Sequence, residues 1–507
     1  MTYLQDQHVL ILGLGESGLA MARWCTRSGA RVTVADTREC PPQLEALRRD
    51  APQATFVCGA LDGALLEGQP VVAVFKSPGL TPASIAPVLI AAKADSTRVE
   101  GELGLFYEAL ADLKTSRGYA PAVLAVTGTN GKTTVTSLTG QLIARAGKTV
   151  AVAGNIGPTL LDTLTQHLEA DTLPEVWVIE LSSFQLDGIE GFEPTAATVL
   201  NITQDHLDWH GSLQAYAQAK ANVFGQHALM LLNREDPLVM AMLPAVSTVG
   251  RVKDRVPQRE YVTFGGDMPQ RPGDFGIEEI NGMVWLVRAM EGDDTKRKRN
   301  EAVEELHIQR LMPADALRIR GRHNAVNALA ALALAASAGC SLAPILFGLR
   351  EYRGEPHRVE PVGIINEIEY FDDSKGTNVG ASVAALNGLG ADRKVVVILG
   401  GDGKGQDFSP LAAPVARFAR AVILIGRDGP LIHAALASTG VPLLKASTMH
   451  QAVEQASQQA QPGDAVLMSP ACASFDMFDN YPHRAAVFRA AVVAVADAAG
   501  ISLESAA

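Results

Sequence analysis

An α/β chain of three domains, each built on a largely parallel sheet, is predicted by three observations. Apolar runs of strand length alternate with helix-length segments through the whole sequence. Two of these runs feed glycine loops that open helices, Gly13-Leu14-Gly15-Glu16-Ser17-Gly18 and Gly128-Thr129-Asn130-Gly131. Almost every polar cluster lies at the carboxyl end of an apolar run, where open α/β sheets bind their ligands. A length of 507 residues suits about three domains. The spacing predicts an N-terminal Rossmann-like domain over 1–100, a central P-loop ATPase-like domain on a mainly parallel sheet over 101–353, and a C-terminal Rossmann-like domain over 354–507. Each third is made of βα units, with no internal sequence repeat. Polar clusters from all three thirds are expected to face one cleft.

Composition narrows the function classes. Hydrophobic residues make up 47% and charged residues 19%, which is ordinary for a soluble α/β enzyme. A net charge of −12 argues against nucleic-acid or membrane-surface partners. An anionic ligand must then be held by local Lys, Arg and helix termini, against the overall field. The five cysteines (Cys25, Cys40, Cys58, Cys340, Cys472) form no CxxC pair. That pattern fits a reducing compartment and argues against zinc. Polar residues give way to an apolar strand by His8, so no leader is read and a cytoplasmic location is expected. The Ala/Leu stretch Ala325–Ala338 is too short to span a membrane and reads as a packed helix.

In chain order, His8–Leu12 is a buried strand, followed by the first glycine loop, a helix to about Ser28, and a strand Arg31–Ala35 ending at Asp36. Strand, glycine loop, helix and terminal acid match the dinucleotide-binding fingerprint. They place a diphosphate or a ribose at the loop without specifying NAD; glycines serving only tight packing are the plain alternative. Val71–Phe75 is a further strand with Lys76-Ser77-Pro78-Gly79 at its end. Ala111–Pro121 reads as a linker.

The strand Ala122–Val126 then enters Thr127-Gly128-Thr129-Asn130-Gly131-Lys132-Thr133-Thr134 and the helix Val135–Ala146. This is a P-loop layout with a shortened glycine spacing. Backbone N–H groups and the helix N-terminus attract phosphate. Lys132 reaches the β/γ-phosphates, and Thr133 or Thr134 offers a hydroxyl to Mg²⁺. Thr149–Ala153 ends at Gly154-Asn155-Ile156-Gly157. Val176–Ile179 ends at Glu180, a carboxylate suited to the nucleotide's Mg²⁺, or to capping a helix. Ala196–Leu200 ends at Asn201 and the loop Thr203-Gln204-Asp205-His206-Leu207-Asp208, whose acid and imidazole groups could take metal or substrate. Lys220 lies in a helical run, Leu213–Phe224, and resembles any solvated lysine.

Residues Met268–Glu305 stand apart, as a probable insertion: Met268–Gly273 is turn-rich, and Asp293–Asn300 is a charge run read as a solvated, mobile loop. Asn327 sits one turn into the Ala325–Ala338 helix and wants a polar partner. Beyond Gly354-Glu355-Pro356-His357-Arg358, strands are expected at Ile368–Phe371, Val395–Leu399, Val422–Ile425 and Ala465–Met468. Their ends carry Asp372-Asp373-Ser374-Lys375-Gly376-Thr377-Asn378, Gly400-Gly401-Asp402-Gly403-Lys404, Gly426-Arg427-Asp428 and Ser469–Ser474.

These blocks, in this order, resemble the Mur ligases, ATP-dependent amide-forming enzymes of peptidoglycan precursor synthesis. The resemblance runs through the chain apart from 268–305. Glu180–Leu186 and Asp373–Asn378 are similar to the members that add D-glutamate to UDP-N-acetylmuramoyl-L-alanine through an acyl phosphate. The resemblance implies that Glu16, Ser17, Asp36, Thr37 and Arg38 hold the uridine end, with Ser77 and Asn155 also touching that substrate. It gives ATP to the loop Gly128–Thr134 (Lys132, Thr133 and Thr134 above all) and to Asn327, Arg358 and Asp373. One Mg²⁺ falls to Thr133 and Glu180. A second falls to His206 and Lys220, the lysine carboxylated by CO₂. D-Glutamate goes to Lys375, Thr377, Lys404, Ser474 and Tyr481, the last an aromatic position in the family. A monomer is expected. The competing reading, an NAD-dependent dehydrogenase, accounts for Gly13–Gly18 and Asp36 but leaves the P-loop and the last third without a purpose. A Mur ligase of another amino-acid specificity is the nearer alternative.

Overall fold

The computed structural model describes residues 4–68, 70–244, 259–291, 306–391 and 393–503. Three sheets follow one another along the chain. The first has five parallel strands in the order Thr55–Cys58, Arg31–Asp36, His8–Leu12, Ala73–Lys76 and Arg98–Glu100. The second has nine strands, ordered His307–Pro313, Met283–Met290, Phe275–Ile280, Tyr261–Phe264, Leu229–Asn233, Ala196–Val199, Ala122–Thr127, Val176–Glu180 and Val150–Gly154. The third has six, ordered Glu360–Ile365, Ile368–Asp372, Ala465–Met468, Val395–Gly400, Ala419–Ile425 and Leu443–Lys445.

The apolar runs became central strands because parallel strands with helices on both faces bury both sides. Val176–Glu180 and Val395–Gly400 are buried at every position. In the second sheet the P-loop strand lies between the strand ending at Glu180 and the strand ending at Val199. Val126 is in register with Glu180, and Thr127 with Val199. Sheet order, rather than sequence proximity, therefore sets Glu180 and the Asn201 loop on either side of the P-loop. The third sheet likewise sets Asp372 beside Met468 and Ile398 beside Met468, so three polar loops open side by side.

Two expectations are corrected. Ala111–Pro121 is not an extended linker: a helix runs from Glu102 to Arg117 and stops at Gly118, whose φ is +68°. Its polar residues Lys114 and Ser116 are simply on the exposed face. The 268–305 region, expected to be an insertion apart from the domain's pattern, contributes strands to the central sheet. Phe275–Ile280 and Met283–Met290 form an antiparallel pair that extends the central sheet, and His307–Pro313 completes its edge. The charge run Asp293–Asn300 lies outside the described residues. Among the described residues, no helix is long and apolar enough to cross a membrane.

Candidate active site

The P-loop turn is set by Gly131, which caps the helix Lys132–Arg145 at φ +85°. A Cβ there would also come within 2.8 Å of Asn327 Oδ1, so the helix Arg322–Ser337 approaches the loop at that point. Asn327 Nδ2 donates to Asn324 Oδ1 (3.2 Å). Asn201 brackets the loop: its Oδ1 accepts the Asn130 N–H (2.9 Å) and its Nδ2 donates to the Asn130 carbonyl (3.1 Å). Lys132 Nζ folds back on the carbonyls of Gly128 (3.0 Å) and Thr129 (2.9 Å). Burial lowers its pKa, while Glu180 and Asp205 oppose that shift, and Arg358 and Lys375 add to it. Arg358, from the third sheet's side of the molecule, donates to Thr133 Oγ1.

Glu180 is 2% exposed, and its Oε1 accepts from Asn155 Nδ2 (2.8 Å). Its other oxygen, Oε2, is buried with no hydrogen-bond partner. A buried carboxylate oxygen with no donor is costly unless something else meets it. A carboxylate oxygen of this kind, beside a P-loop that carries the Thr133 hydroxyl, is a hard donor of the type that suits Mg²⁺. Lys220 lies deeper, 1% exposed, with Nζ 3.2 Å from Thr127 Oγ1 and 4.7 Å from the centre of the Tyr216 ring. Burial drives its pKa well below that of free lysine, and Lys132 lowers it further. His206 begins a short helix at φ +52°, with Nε2 3.6 Å from Asp205 Oδ2. Burial lowers the imidazole pKa, opposed by Asp205 and supported by Lys404, Lys132 and Lys220.

The C-terminal loops close over this floor. Asn130 and Asn378 exchange side-chain amide bonds (3.2 and 3.0 Å) across 248 residues of sequence. Asp373 is 6% exposed; its Oδ2 accepts from Ser469 Oγ (2.6 Å), and burial raises its pKa to about 7. Lys375 Nζ stands 4.0 Å from the centre of the Tyr481 ring, and burial and Arg358 lower its pKa. The segments that carry Lys404 and Ser474 are joined by an isolated bridge, in which Asp402 and Ala473 exchange backbone bonds of 3.0 and 2.8 Å. Thr377 takes part in the same loop, its N–H on the Lys375 carbonyl (2.8 Å).

The N-terminal residues form a separate group. Asp36 is 3% exposed and accepts from the N–H of Leu14 (2.8 Å), the N–H of Arg38 (3.0 Å) and the Arg38 guanidinium (2.8 and 2.7 Å). The Arg38 bonds hold its pKa down at about 2. Its carboxylate thus locks the glycine loop to Arg38, which with Glu16 and Thr37 faces outward. Ser77 Oγ donates to the Gly13 carbonyl (2.8 Å) beneath the same loop. Ser17 hydrogen-bonds Glu102.

Three contributors escaped the sequence reading. Tyr216 donates its hydroxyl to Thr129 Oγ1 (3.2 Å) and lies under Lys220. His210 stacks on Phe184 with ring centres 5.8 Å apart, and burial lowers its pKa to about 4. Glu102 is 3% exposed and accepts the Leu161 N–H (3.1 Å).

Family profiles match three consecutive parts of the chain: a Mur ligase MurD-like N-terminal domain over 7–101, a Mur ligase middle domain over 126–254, and a Mur ligase glutamate ligase domain over 357–472. The UDP-N-acetylmuramoylalanine–D-glutamate ligase of Albidiferax ferrireducens is 70% identical over 100% of both chains. The proteins of that name from Polaromonas sp. and Ralstonia nicotianae are 57% and 56% identical, covering 99% of this chain and 100% and 99% of theirs. Among solved structures, the MurF ligase of Thermotoga maritima with ADP aligns with a TM-score of 0.57 at 15% identity, over 97% of this chain and 96% of that one. The UDP-N-acetylmuramate–alanine ligase of Thermotoga maritima aligns at 0.54 and 20%, over 97% and 100%. These two show the same fold.

Proposed function

The chain belongs to the Mur ligase family, and from that membership we propose the reaction and the residues that carry it. The enzyme joins D-glutamate to UDP-N-acetylmuramoyl-L-alanine at the expense of ATP, in peptidoglycan precursor synthesis. The observation that carries the assignment of roles is the meeting of Lys132, Glu180 and Arg358 at one P-loop, with Arg358 bonded to Thr133.

A carboxylate does not condense with an amine in water, because oxide is too poor a leaving group. The L-alanyl carboxylate attacks the γ-phosphorus of ATP, ADP departs, and an acyl phosphate forms. The neutral amine of D-glutamate then attacks the carbonyl carbon, phosphate leaves, and the proton lost by the nitrogen passes to the departing phosphate or to solvent. Bringing the carboxylate to the triphosphate is the electrostatic difficulty: two like charges about 4 Å apart repel by about 4 kcal/mol at an effective dielectric of about 20. Lys132 and Arg358 oppose that repulsion, and the N–H groups of Gly128–Thr134 hold the phosphates in line. When bound, Mg²⁺ neutralises phosphate charge and polarises the γ-phosphoryl oxygens. We assign it to Thr133 with Glu180, and a second ion to His206 with Lys220. The orphaned Oε2 of Glu180 supports the first assignment.

Lys220 serves a cation only as an anion. Its burial favours the neutral amine, which can add CO₂ to give a carbamate. Asn327 and Asp373 complete the ATP site. Glu16, Ser17, Asp36, Thr37 and Arg38, with Ser77 and Asn155, serve the UDP-sugar. Lys375, Thr377, Lys404, Ser474 and Tyr481 receive D-glutamate, the two lysines suiting its two carboxylates. We take the domains as 1–100, 101–353 and 354–507, in a cytoplasmic monomer; sedimentation of a dimer would remove the last point.

The test is phosphate release with UDP-N-acetylmuramoyl-L-alanine and a panel of amino acids. Release should require D-glutamate and ATP. Lys132→Ala should cut turnover by at least about a hundredfold, while isothermal titration finds UDP-substrate binding unchanged. Normal turnover in that variant would end the P-loop assignment, and release driven by another amino acid would end the specificity.

A further inference from the structure

Arg484 is fully buried, in the third domain, and the chemistry above makes no use of it. It lies one turn into the helix Tyr481–Ala498, which opens at Asn480 with its side-chain oxygen on the His483 N–H (2.8 Å). Arg484 Nη2 donates to the carbonyl of Ser374 (2.8 Å) and Nη1 to the carbonyl of Cys472 (3.0 Å). Its Nε is buried without a partner. A guanidinium satisfied by two carbonyls is an expensive way to fill a core, since an apolar side chain of similar volume needs no such desolvation.

The two carbonyls identify what it does. Ser374 precedes Lys375, and Cys472 stands two residues before Ser474. One planar fork therefore spans the two loops that flank the amino-acid end of the cleft. Tyr481, three residues earlier on the same helix face, lies against the Lys375 ammonium at 4.0 Å. The Cys472 loop is under strain: Ala471 is buried and held at φ +58°, a conformation that a non-glycine residue keeps only when its surroundings impose it. Through the Asp402–Ala473 bridge the same loop also carries the segment that bears Lys404.

We propose that Arg484 is a positioning residue for the incoming amino acid: by gripping the Ser374 and Cys472 carbonyls it fixes the distance between Lys375 and Ser474, and with it the length of dicarboxylic amino acid that the site accepts. The inference rests on the reading that Lys375 and Ser474 receive D-glutamate.

Steady-state phosphate release separates the two. The variants are Arg484→Lys, Arg484→Met and Lys375→Ala, each with all three substrates varied in turn. Arg484→Lys should raise the KM for D-glutamate about tenfold, through the loss of one charged hydrogen bond, and leave the KM for ATP and for the UDP-substrate within about twofold. It should also narrow the preference for D-glutamate over D-aspartate. Arg484→Met should do more in the same direction. Should Arg484→Met fail to fold, Arg484→Lys, which keeps the cation, decides alone. An unchanged KM for D-glutamate, or an equal rise in all three constants, overturns the proposal and marks Arg484 as structural only. If Lys375→Ala leaves the D-glutamate KM unchanged, the reading of the site itself fails and the inference falls with it.

Discussion

A lysine ammonium sealed from water near a second lysine is poorly placed, and Lys220 is in that position. It touches a hydroxyl at 3.2 Å and a ring face at 4.7 Å, and the pull of the Asp205 and Glu180 carboxylates does not offset its burial. The neutral amine is a nucleophile. Addition to CO₂ releases one proton and leaves a carbamate anion, which Lys132 then favours instead of opposing. Protonation at lower pH removes the nucleophile, so carbamate and activity should fall together as pH drops through the depressed pKa. With ¹³C-bicarbonate, the active enzyme should show a protein-bound carbamate resonance that Lys220→Met lacks. An active, magnesium-loaded enzyme without that resonance contradicts the assignment. Sequence could not reveal this. Lys220 looks like a solvated helix lysine until the helix Leu213–Ala221 is packed with Tyr216 and Lys220 inward. The P-loop residues were legible because a local motif carries their chemistry. Tyr216 and His210 were not, because their partners Thr129 and Phe184 are distant in sequence.

At the scale of elements, three helix starts converge on one carboxylate. Glu102 opens the helix Glu102–Arg117, accepts the Leu161 N–H (3.1 Å) at the start of the helix Leu160–Glu169, and bonds Ser17 at the start of the helix Glu16–Arg27. It is 3% exposed, and burial raises its pKa from 4.5 to about 7. Between those pH values the folded protein keeps a proton that the unfolded chain has released. Stability contributed at this site therefore falls as pH rises through that window, and the loss is complete above it. Gln carries no titrating charge. Glu102→Gln should gain thermal stability relative to the parent at pH 8 compared with pH 5, by up to about 3 kcal/mol. A stability difference independent of pH would show that Glu102 is ionised throughout. The central strands and their loops were legible from sequence because burial on both faces leaves unbroken apolar runs. Phe275–Ile280 and His307–Pro313 were not. They belong to the antiparallel end of the sheet, His307–Pro313 at its edge and Phe275–Ile280 two strands in, and their mixed, half-wet faces mimic a loop.

At the scale of the molecule, polar clusters at strand ends foreshadowed the meeting of the central and C-terminal loops, but not the contacts that close it. They join residues such as Asn130 and Asn378, 248 positions apart. Gly380, in the first turn of the helix Val379–Gly390, lies against the same contact. A Cβ there would come within 2.8 Å of Thr203 Oγ1 and 3.1 Å of Asn130 Nδ2. A larger residue there must displace the Thr203 and Asn130 side chains. In the proposed mechanism, phosphoryl transfer and amide formation draw on groups from both lobes, Lys132 from one and Arg358 and Lys375 from the other. A side chain that wedges the lobes apart should therefore slow chemistry without emptying either site. Gly380→Val adds a branched side chain at this contact. It should lower kcat by about a hundredfold, the cost expected for a misplacement on the order of 1 Å. ATP and UDP-substrate affinities, which each rest mainly on one lobe, should change by no more than about threefold. Small-angle scattering of the fully liganded variant should report a larger radius of gyration than that of the parent. Wild-type turnover with an unchanged radius would mean that the lobes react without this contact, and closure would then have to be sought at Arg358 and Thr133 alone.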